Sequence, residues 1–430
     1  MTAPLRIGIA GLGTVGAGVV KMLQQNAELI TARAGRPVEV TCVSARDKAK
    51  KRDVDLSHYQ WIDAPEAMAS ADVDIVVELM GGSEGTARNL VEASLKSGKA
   101  VITANKALLA EHGLALAALA DAAKVPLMYE AAVAGGIPII KALREGFAGN
   151  NIGAVYGILN GTCNYILTTM RETGRGFDDV LAEAQAKGYA EADPAFDVDG
   201  IDAAHKLSIL TALAFGVKPA FGKVAIQGIR HITADDMEHA RDLGYRIKLL
   251  GMARRMKDGA IVQTMEPTLV PQDSPIGAVD GVFNAVFVEG DFVHTSLLVG
   301  RGAGEGPTAS AVLSDIIDIA RGKTAPVYGV PADTLKDAKW GGAADIHSHF
   351  YMHLKVIDKT GVLADVAAIL RDHNISVEAM IQRGRNPDQP VPIVMTTHET
   401  RYSDVLAACE KISGLKLVQA KPTVLRIEQF

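Results

Sequence analysis

Two lysines stand out because of the residues around them. Lys206 follows Asp202 by four residues in a segment that we predict to be helical, so both side chains share one helix face. Lys106 comes directly after a predicted buried strand. A lysine can give or take a proton when burial or a neighbouring cation lowers its pKa toward neutrality. Both lysines are therefore candidates for general acid–base catalysis.

The alternative for Asp202 and Lys206 is an ordinary surface ion pair, which at this spacing stabilises a helix by only about 0.3–0.5 kcal/mol. Spacing alone does not separate the two interpretations. In an active site, a carboxylate such as Asp202 or Glu191 would instead hold the ammonium group of a substrate through charge-assisted hydrogen bonds.

A glycine-rich turn lies between the first predicted strand and the first predicted helix. In such a turn the first glycine permits the tight bend, the second lets a ligand approach the backbone, and the third lets the helix pack closely on the strand. The amides at the helix N-terminus then favour a pyrophosphate. This GxGxxG pattern predicts a dinucleotide site rather than a purely structural turn. Its residues are Gly11, Leu12, Gly13, Thr14, Val15 and Gly16.

The end of the second predicted strand favours NADP over NAD. A protein selective for NAD usually has an acidic residue there to bind the ribose 2′-hydroxyl. Here Arg46 follows the strand, and four more basic residues lie within the next six positions. Such a loop suits a 2′-phosphate, although a solvated basic loop is the alternative and NAD remains possible. With a nicotinamide cofactor, interconverting an alcohol and an aldehyde needs the acid–base group that a lysine provides.

The elements that must position these residues begin with alternating strands and helices. Strands are predicted at 5–11, 38–44, 73–79, 100–103 and 126–130, with helix-like stretches at 84–97 and 107–123 between the later ones. This alternation predicts an α/β fold with a Rossmann-type doubly wound parallel sheet over residues 1–135. The carboxyl edge of that sheet, where Lys106 lies, is where such folds bind ligands.

A second α+β domain, the expected substrate domain, is predicted for residues 136–325. Helices are expected at 163–172, 178–187 and 200–215, and a β-hairpin at 282–289 and 292–299. The last helix, beginning near Thr308, is expected to pack back onto the first domain. Residues 326–348 are interpreted as a linker, and residues 349–430 as a βαββαβ unit.

Composition limits the classes of partner. The 430 residues carry a net charge of −6 with acids and bases mixed, which argues against nucleic acid and membrane surfaces. No export signal or membrane span is expected. Cys42, Cys163 and Cys409 lie far apart, so neither a disulfide scaffold nor a thiolate metal site is expected, and a cytoplasmic location fits. A small-molecule substrate is the expected partner.

Several motifs occur in one order and together carry a family resemblance. The chain resembles bacterial homoserine dehydrogenases with a C-terminal regulatory domain, along nearly its whole length. Cys163 replaces a common Thr and Ala134 a common Gly, and neither supplies a catalytic atom. The matching segments are residues 11–16, 103–107, 130–138, 160–165, 188–194, 197–206 and 302–309.

The resemblance implies interconversion of L-homoserine and L-aspartate 4-semialdehyde, in the biosynthesis of threonine, methionine and isoleucine. It implies that Lys206 transfers the proton and that Lys106 contacts substrate or nicotinamide beside it. Glu191 and Asp202 would bind homoserine, and Gly304 would touch the cofactor.

A monovalent cation, usually sodium, is also implied by the resemblance, with a structural role. Its ligands would be Glu130 and main-chain carbonyls of Val133, Gly135 and Ile137. From the sequence alone, a carboxylate that caps or bridges a turn is the simpler interpretation of Glu130.

The C-terminal unit resembles an ACT domain. Such a domain receives an amino acid at an interface near a glycine turn, here Asp358 and Gly361, with a polar residue such as Asn374. Threonine is the candidate effector, and the assembly is expected to be a homodimer or homotetramer. The alternative is that the domain serves only in oligomerisation.

Some other interpretations are weaker. A nucleophilic Cys163 would need an activating histidine, and no companion motif lies near it. His347, His349 and His353 lack acidic companions in the sequence, so we expect solvated histidines rather than a metal site. Two rivals stay open: another NAD(P)-linked amino-acid or semialdehyde dehydrogenase, and a catalytically silent regulatory protein on the same scaffold.

Overall fold

The N-terminal part of the chain forms a six-stranded parallel sheet. The computed structural model describes residues 3–382 and 390–430. The strands are β1 (Leu5–Ala10), β2 (Val38–Ser44), β3 (Gln60–Trp61), β4 (Ile75–Glu78), β5 (Ala100–Thr103) and β6 (Leu127–Met128), and the helices are α1 (Thr14–Gln25), α2 (Ala27–Ala34), α3 (Thr86–Lys96) and α4 (Lys106–Ala123). The order β3-β2-β1-β4-β5-β6 confirms the Rossmann-type prediction, to which the short β3 is an addition.

The second domain combines a mixed sheet with helices. The strands are β7 (Ile152–Ile158), β8 (Val224–Ile226), β9 (Tyr245–Arg255), β10 (Ile261–Pro271), β11 (Phe283–Gly290) and β12 (His294–Arg301). The helices are α5 (Ile139–Lys141), α6 (Gly161–Thr173), α7 (Phe177–Ala186), α8 (Ala195–Val198), α9 (Ile201–Phe215), α10 (Ala234–Asp242) and α11 (Glu305–Ala320). The predicted hairpin is confirmed as β11 and β12, with Phe283 opposite Arg301.

The long antiparallel pair β9 and β10 was not predicted. Tyr245 pairs with Pro271 at one end and Arg255 with Ile261 at the other. In β10 every residue except Pro271 is buried, and in β9 residues 247–253 are buried, whichever face they occupy. The polar–apolar alternation that marks a half-exposed strand is therefore missing from this part of the sequence.

Two helices of the second domain, α9 and α11, pack against the first domain. α9 is buried along almost its whole length, which fixes its polar residues in place. α11 packs on α1 and adds Val312 and Ile316 to the core around Ile7 and Ile9, as predicted. In residues 3–382 and 390–430, no helix has the length and apolar character needed to cross a membrane.

The C-terminal domain has the predicted βαββαβ order. Its elements are β13 (His347–Ile357), α12 (Val362–Asp372), β14 (Val377–Gln382), β15 (Pro390–Thr397), β16 (Thr400–Arg401), α13 (Tyr402–Ser413) and β17 (Thr423–Ile427). β17 pairs in parallel with β10, with Thr268 beside Arg426, so one continuous sheet joins the second and third domains. The segment interpreted as a linker lies against the body of the protein, where Val327, Tyr328 and Leu335 are buried.

The expectation for the histidines is wrong for His353. β13 lies between β17 and β15 rather than at an edge, and His353 is buried. Its Nδ1 lies 2.8 Å from Asp236 Oδ1, on α10 of the second domain. The sequence does not reveal this partner because 117 positions separate the two residues. His347 is exposed as expected, and within the described ranges no cluster of histidine, cysteine or acidic residues could hold a metal.

Replacing Asp236 is expected to destabilise the contact between these domains. Its carboxylate also accepts hydrogen bonds from Tyr351 and from both the amide and hydroxyl of Thr233. Asp236→Ala leaves the buried side chains of His353 and Tyr351 without this partner, so the free energy of unfolding should fall by about 3–5 kcal/mol in urea titration. The exposed neighbour gives a control, since Asp235→Ala should change it by less than about 0.5 kcal/mol. Equal losses of unfolding free energy in the two variants would contradict a role for Asp236 in the contact between the domains.

The pH dependence of this contact follows from the same groups. Burial alone raises the pKa of Asp236, but the hydrogen bonds from His353 and Thr233 outweigh it and hold the pKa below its ordinary value. The stabilisation is therefore fully present above about pH 4, the usual aspartate pKa, and is lost as pH falls further.

Candidate active site

A cavity of about 970 Å³ opens between the first and second domains. Its walls come from the loop after β4, the N-termini of α4 and α6, one face of α9, and the loop that leads into α11. It lies at the carboxyl edge of the parallel sheet, as expected for a doubly wound fold. The predicted site residues that line it are Val15, Lys106, Gly135, Glu191, Asp202, Lys206 and Gly304.

The two lysines meet at one carboxylate. Lys206 Nζ lies 2.7 Å from Asp202 Oδ2, and Lys106 Nζ lies 3.3 Å from Asp202 Oδ1. Lys206 also donates to the carbonyl oxygen of Leu159 at 2.8 Å. Lys206 and Asp202 are buried on α9, while Lys106 is about one-third exposed at the start of α4. The pair on α9 is therefore not an ordinary surface ion pair.

Asp202 is the centre of this cluster. Burial alone raises the pKa of its carboxyl, but the ammonium groups of Lys206 and Lys106 outweigh that effect and lower the pKa to about 2. The carboxylate therefore stays ionised at every pH near neutrality. It holds both ammonium groups at one wall of the cavity.

Two asparagines that the sequence analysis gave no role set this geometry. Asn160 caps α6 by accepting from the amide of Cys163, and its Nδ2 donates to both Asp202 and Asp197. Asn105 caps α4 in the same way and donates to the carbonyl of Gly82. Asparagine is a preferred N-cap residue, and it directly precedes both α4 and α6.

A buried glutamate supports the loop on the opposite wall. Glu78 ends β4, and its Oε1 accepts from the amides of Met80 and Gly81. Its Oε2 accepts from the hydroxyl of Thr103 at 2.6 Å. The carboxylate thereby ties the ends of β4 and β5 together beneath the loop that faces Lys106.

The glycine turn has the shape that a dinucleotide requires. Gly11 has φ +102°, and a β-carbon on Gly16 would lie only 1.9 Å from the carbonyl oxygen of Gly11. A β-carbon on Gly13, by contrast, would have no neighbour within 4 Å. Gly13 is the N-cap residue of α1, so the first amides of the helix face an open region. Leu12, Gly13 and Thr14 line a second cavity of about 240 Å³ there.

The basic loop after β2 closes over this second cavity. Arg52 donates to the carbonyl oxygens of Leu12, Lys50 and Asp47, and its guanidinium lies over Trp61. Arg46 is exposed, and its side chain makes no hydrogen bond or ion pair with any other described residue. Arg52 therefore shapes the loop, whereas Arg46 is left available for a ligand.

Family models match almost the whole chain. The model described as the homoserine dehydrogenase NAD-binding domain matches residues 11–130, the homoserine dehydrogenase model matches 138–317, and the ACT domain model matches 354–414. The chain belongs to the homoserine dehydrogenase family. It is an oxidoreductase that acts on CH–OH donors and has an NAD-binding, a catalytic and an ACT domain.

Similar proteins agree with this family over their full lengths. The homoserine dehydrogenases of Pseudomonas aeruginosa and Neisseria gonorrhoeae are 46% and 44% identical, and each alignment covers 99% of both chains. A crystal structure of a homoserine dehydrogenase from Thiobacillus denitrificans is 45% identical, with a TM-score of 0.93 and 99% of both chains covered. A hyperthermophilic archaeal homoserine dehydrogenase mutant in complex with NADPH is 27% identical, with a TM-score of 0.64, covering 75% of this chain and 99% of its own.

The remaining residues that the family resemblance singled out are distributed around this cavity. Glu191 lines it from the segment after α7, and its side chain is exposed. Thr162, at the start of α6, donates to the carbonyl oxygen of Tyr189, which holds that segment beside the cavity. Cys163 is buried and its thiol donates to the carbonyl of Asp197. Burial raises the pKa of this thiol well above its usual value, so it is not a thiolate nucleophile.

Glu130 lies outside the cavity, in the turn between the two domains. Its carboxylate is buried and accepts from the amides of Ile140 and Lys141, each at 2.9 Å, so it caps α5. Burial raises the pKa of Glu130, and these amides partly offset that effect. Val133, Gly135 and Ile137 follow in the same buried turn, where Gly135 has φ +48°.

The candidate ACT residues lie at the two ends of α12. Gly361 precedes α12 with φ +99°, next to Asp358, whereas Asn374 follows the other end of the helix with φ +56°. The eleven residues of α12 separate the two by roughly 16 Å. A single bound amino acid is too short to contact both ends of this helix.

Proposed function

We propose that the chain interconverts L-homoserine and L-aspartate 4-semialdehyde with NADP, in the biosynthesis of threonine, methionine and isoleucine. The observation that carries this proposal is the meeting of Lys206 and Lys106 at Asp202, inside the cavity that Val15 and Gly304 also line. A site of this kind has an acid–base group, a carboxylate for an ammonium, and a cofactor surface within one space.

The residues at the glycine turn fit a dinucleotide. The open face of Gly13 and the first amides of α1 suit a pyrophosphate, which the positive end of the helix dipole also favours. When bound, the reduced nicotinamide would supply the hydride for the carbonyl carbon of the semialdehyde.

Lys206 is the proton donor in the reductive direction. An ammonium group has three N–H donors, and Lys206 uses two of them on Asp202 and on the carbonyl of Leu159. The third can reach the substrate oxygen, which takes the proton as the carbonyl becomes a hydroxyl. In the oxidative direction, neutral Lys206 takes the hydroxyl proton back.

The other charged groups bind and orient the substrate. Lys106 contributes a second positive charge beside the reacting oxygen or the nicotinamide ring. Asp202 and Glu191 supply carboxylates for the substrate ammonium, which would form charge-assisted hydrogen bonds with them. Lys106 lies over the ring of Phe196 at 5.9 Å, which limits its freedom.

The test is a steady-state assay of the purified chain, following the absorbance of reduced nicotinamide. L-Homoserine with NADP should be oxidised, and L-aspartate 4-semialdehyde with NADPH should be reduced. Oxidation of another amino alcohol in preference to homoserine would favour a different amino-acid dehydrogenase. Failure to turn over any substrate would favour a silent regulatory protein.

The preference for NADP is tested at Arg46. Because Arg46 is exposed and unpaired beside the cofactor turn, Arg46→Ala should raise the KM for NADPH about tenfold or more and leave the KM for NADH nearly unchanged. The control is Arg33→Ala on α2, which should change neither value. An equal KM for NADPH before and after the Arg46 change would contradict the 2′-phosphate role.

A structural monovalent cation would be held in the turn that contains Glu130.

 The carboxylate of Glu130 is buried and keeps a free lone pair on each oxygen beyond the two amides it caps. Within the described ranges, no amide donates to the carbonyls of Val133 or Gly135, while that of Ile137 accepts from Ile139. Oxygen donors of this kind suit a hard cation such as sodium. These four residues would hold it, and it would brace the turn without entering the chemistry.

The ACT domain supports feedback control in a homodimer or homotetramer. Asp358 and Gly361 of one chain, with Asn374 of a second chain, would receive an amino acid such as threonine between two ACT domains. The steady-state assay repeated with threonine tests this part. Inhibition that saturates with threonine supports it, whereas unchanged rates would leave the domain a role in assembly only.

A further inference from the structure

Asn284 is a buried amide on the wall of the active-site cavity. It lies on β11, is 1% exposed, and lines the cavity together with both lysines. Neither its Oδ1 nor its Nδ2 has a hydrogen-bond partner among residues 3–382 and 390–430. Buried amides nearly always have partners, and an exception at a binding site indicates that a ligand completes the hydrogen bonds.

Asn284 lies close to two loops of the cavity, one that leads to Gly304 and one that begins α6 beside Asp202. The Cα of Gly302 packs so closely on the amide that a β-carbon there would lie 2.1 Å from it. On the other side, a β-carbon on Gly161 would lie 3.6 Å from Asn284 Oδ1. Gly302 leads to Gly304 at the start of α11, and Gly161 follows Asn160, which holds Asp202. The amide therefore lies between the two loops.

The other buried asparagines nearby have complete sets of partners. Asn160 binds Asp197, Asp202 and the amide of Cys163, and Asn164 donates to the carbonyls of Val279 and Phe283. Asn284 alone of these three is left with a free acceptor and two free N–H donors. The unpaired amide is therefore specific to Asn284 and is not shared by the other two asparagines.

The chemistry of these free groups matches the amino-acid end of the substrate. An ammonium needs an acceptor such as Oδ1, and a carboxylate needs a donor such as Nδ2. The amides of Gly161 and Thr162 at the start of α6 have no partner within the helix, and the positive end of the helix dipole favours a carboxylate there. A simple alcohol lacks both the ammonium and the carboxylate and could not form these two charge-assisted contacts.

We propose that Asn284 is a specificity-determining residue that binds the α-ammonium and α-carboxylate end of the amino-acid substrate. This inference rests on the proposed function. It assigns to Asn284 the selection of an amino alcohol over a simple alcohol, and leaves proton transfer to Lys206.

The test compares the wild type with Asn284→Leu, which keeps the size of the side chain and removes its hydrogen bonds. The KM for L-homoserine should rise about 10–100-fold, while the Kd of NADPH from fluorescence titration stays within about twofold. Used as competitive inhibitors, 3-aminopropan-1-ol and 4-hydroxybutanoate each lack one charged group. The variant should weaken the binding of L-homoserine more than that of either compound.

Gln263→Leu is the matched control. Gln263 is also a buried amide with an unpartnered oxygen, and it lies on β10 away from the cavity. This variant should leave the KM for L-homoserine unchanged. Asn284→Ser provides a second substitution with less steric demand, and thermal unfolding of both Asn284 variants checks that they are folded.

Two results would overturn the inference. One is a KM for L-homoserine that does not change in the folded Asn284 variants. The other is a higher Kd for NADPH with an unchanged KM for L-homoserine, which would assign the amide to the cofactor. A wild-type chain that does not oxidise L-homoserine would refute the proposed function itself, and the two failures are therefore distinguishable.

Discussion

Lys206→Ala should lower kcat by about 10²–10⁴-fold, with the Kd of NADPH nearly unchanged. Its ammonium is buried, is bonded to Asp202 and to the carbonyl of Leu159, and has one N–H left for the substrate oxygen. Without it, the proton must come from water that enters the cavity. The glycine turn, where we propose that the cofactor binds, lies on a different domain and is not altered.

Lys248→Ala is the matched control for this result. Lys248 is also a buried lysine of the second domain, and its Nζ lies 3.0 Å from Asp280 and 3.2 Å from Asn164, outside the cavity. Its loss is expected to lower stability while kcat of the folded enzyme stays within a few-fold of the wild type. A similar loss of kcat in both variants would mean that Lys206 acts through the fold rather than on the substrate.

Asp202→Asn should lower kcat/KM by about 10²–10³-fold. The change removes the negative charge that contacts both Lys206 and Lys106, and it replaces an acceptor by an amide that faces the N–H groups of Asn160 and Lys206. Truncating one partner of a buried charge cluster leaves the others uncompensated. Steady-state rates over a range of homoserine concentrations measure the effect.

Asp280→Asn is the comparison for Asp202. Asp280 likewise gathers cations, namely Lys248, Arg171 and Arg246, and the pKa of its carboxyl is also about 2. It lies away from the cavity, so kcat/KM should change by only a few-fold. Comparable losses in both variants would contradict a specific role for Asp202.

The contribution of ionised Asp202 to stability changes with pH in a known direction. Its pKa in the folded chain, about 2, is below the ordinary value near 3.9, so its ionisation stabilises the fold above pH 4 and the contribution is lost as pH falls toward 2. A fall in activity between pH 5 and 7 therefore cannot come from protonation of Asp202.

Local signals in the sequence were sufficient for the first domain and for part of the site. The GxGxxG turn and the alternating strands predict the Rossmann sheet because each signal lies within a few residues. The spacing of Asp202 and Lys206 predicts a shared helix face, but whether that face is buried depends on the packing of α9. Burial decides between a surface ion pair and a catalytic pair, and it is a tertiary property.

Features that depend on contacts between residues far apart in the sequence were either not predicted or predicted wrongly. β9 and β10 are buried on both faces and lack the alternation that would reveal them. The parallel pairing of β17 with β10 joins positions more than 150 residues apart, and the partner of His353 lies 117 positions away. The free amide of Asn284 becomes visible only when Gly161 and Gly302 are placed on either side of it.

Chemical rescue of Lys206→Ala by small primary amines tests the central claim most directly. If Lys206 transfers the proton, added methylamine or ethylamine should restore homoserine oxidation in proportion to amine concentration, and Lys248→Ala should not respond. Rates of Lys206→Ala that stay the same with and without amine, while Lys106→Ala is rescued, would contradict the account and assign proton transfer to Lys106.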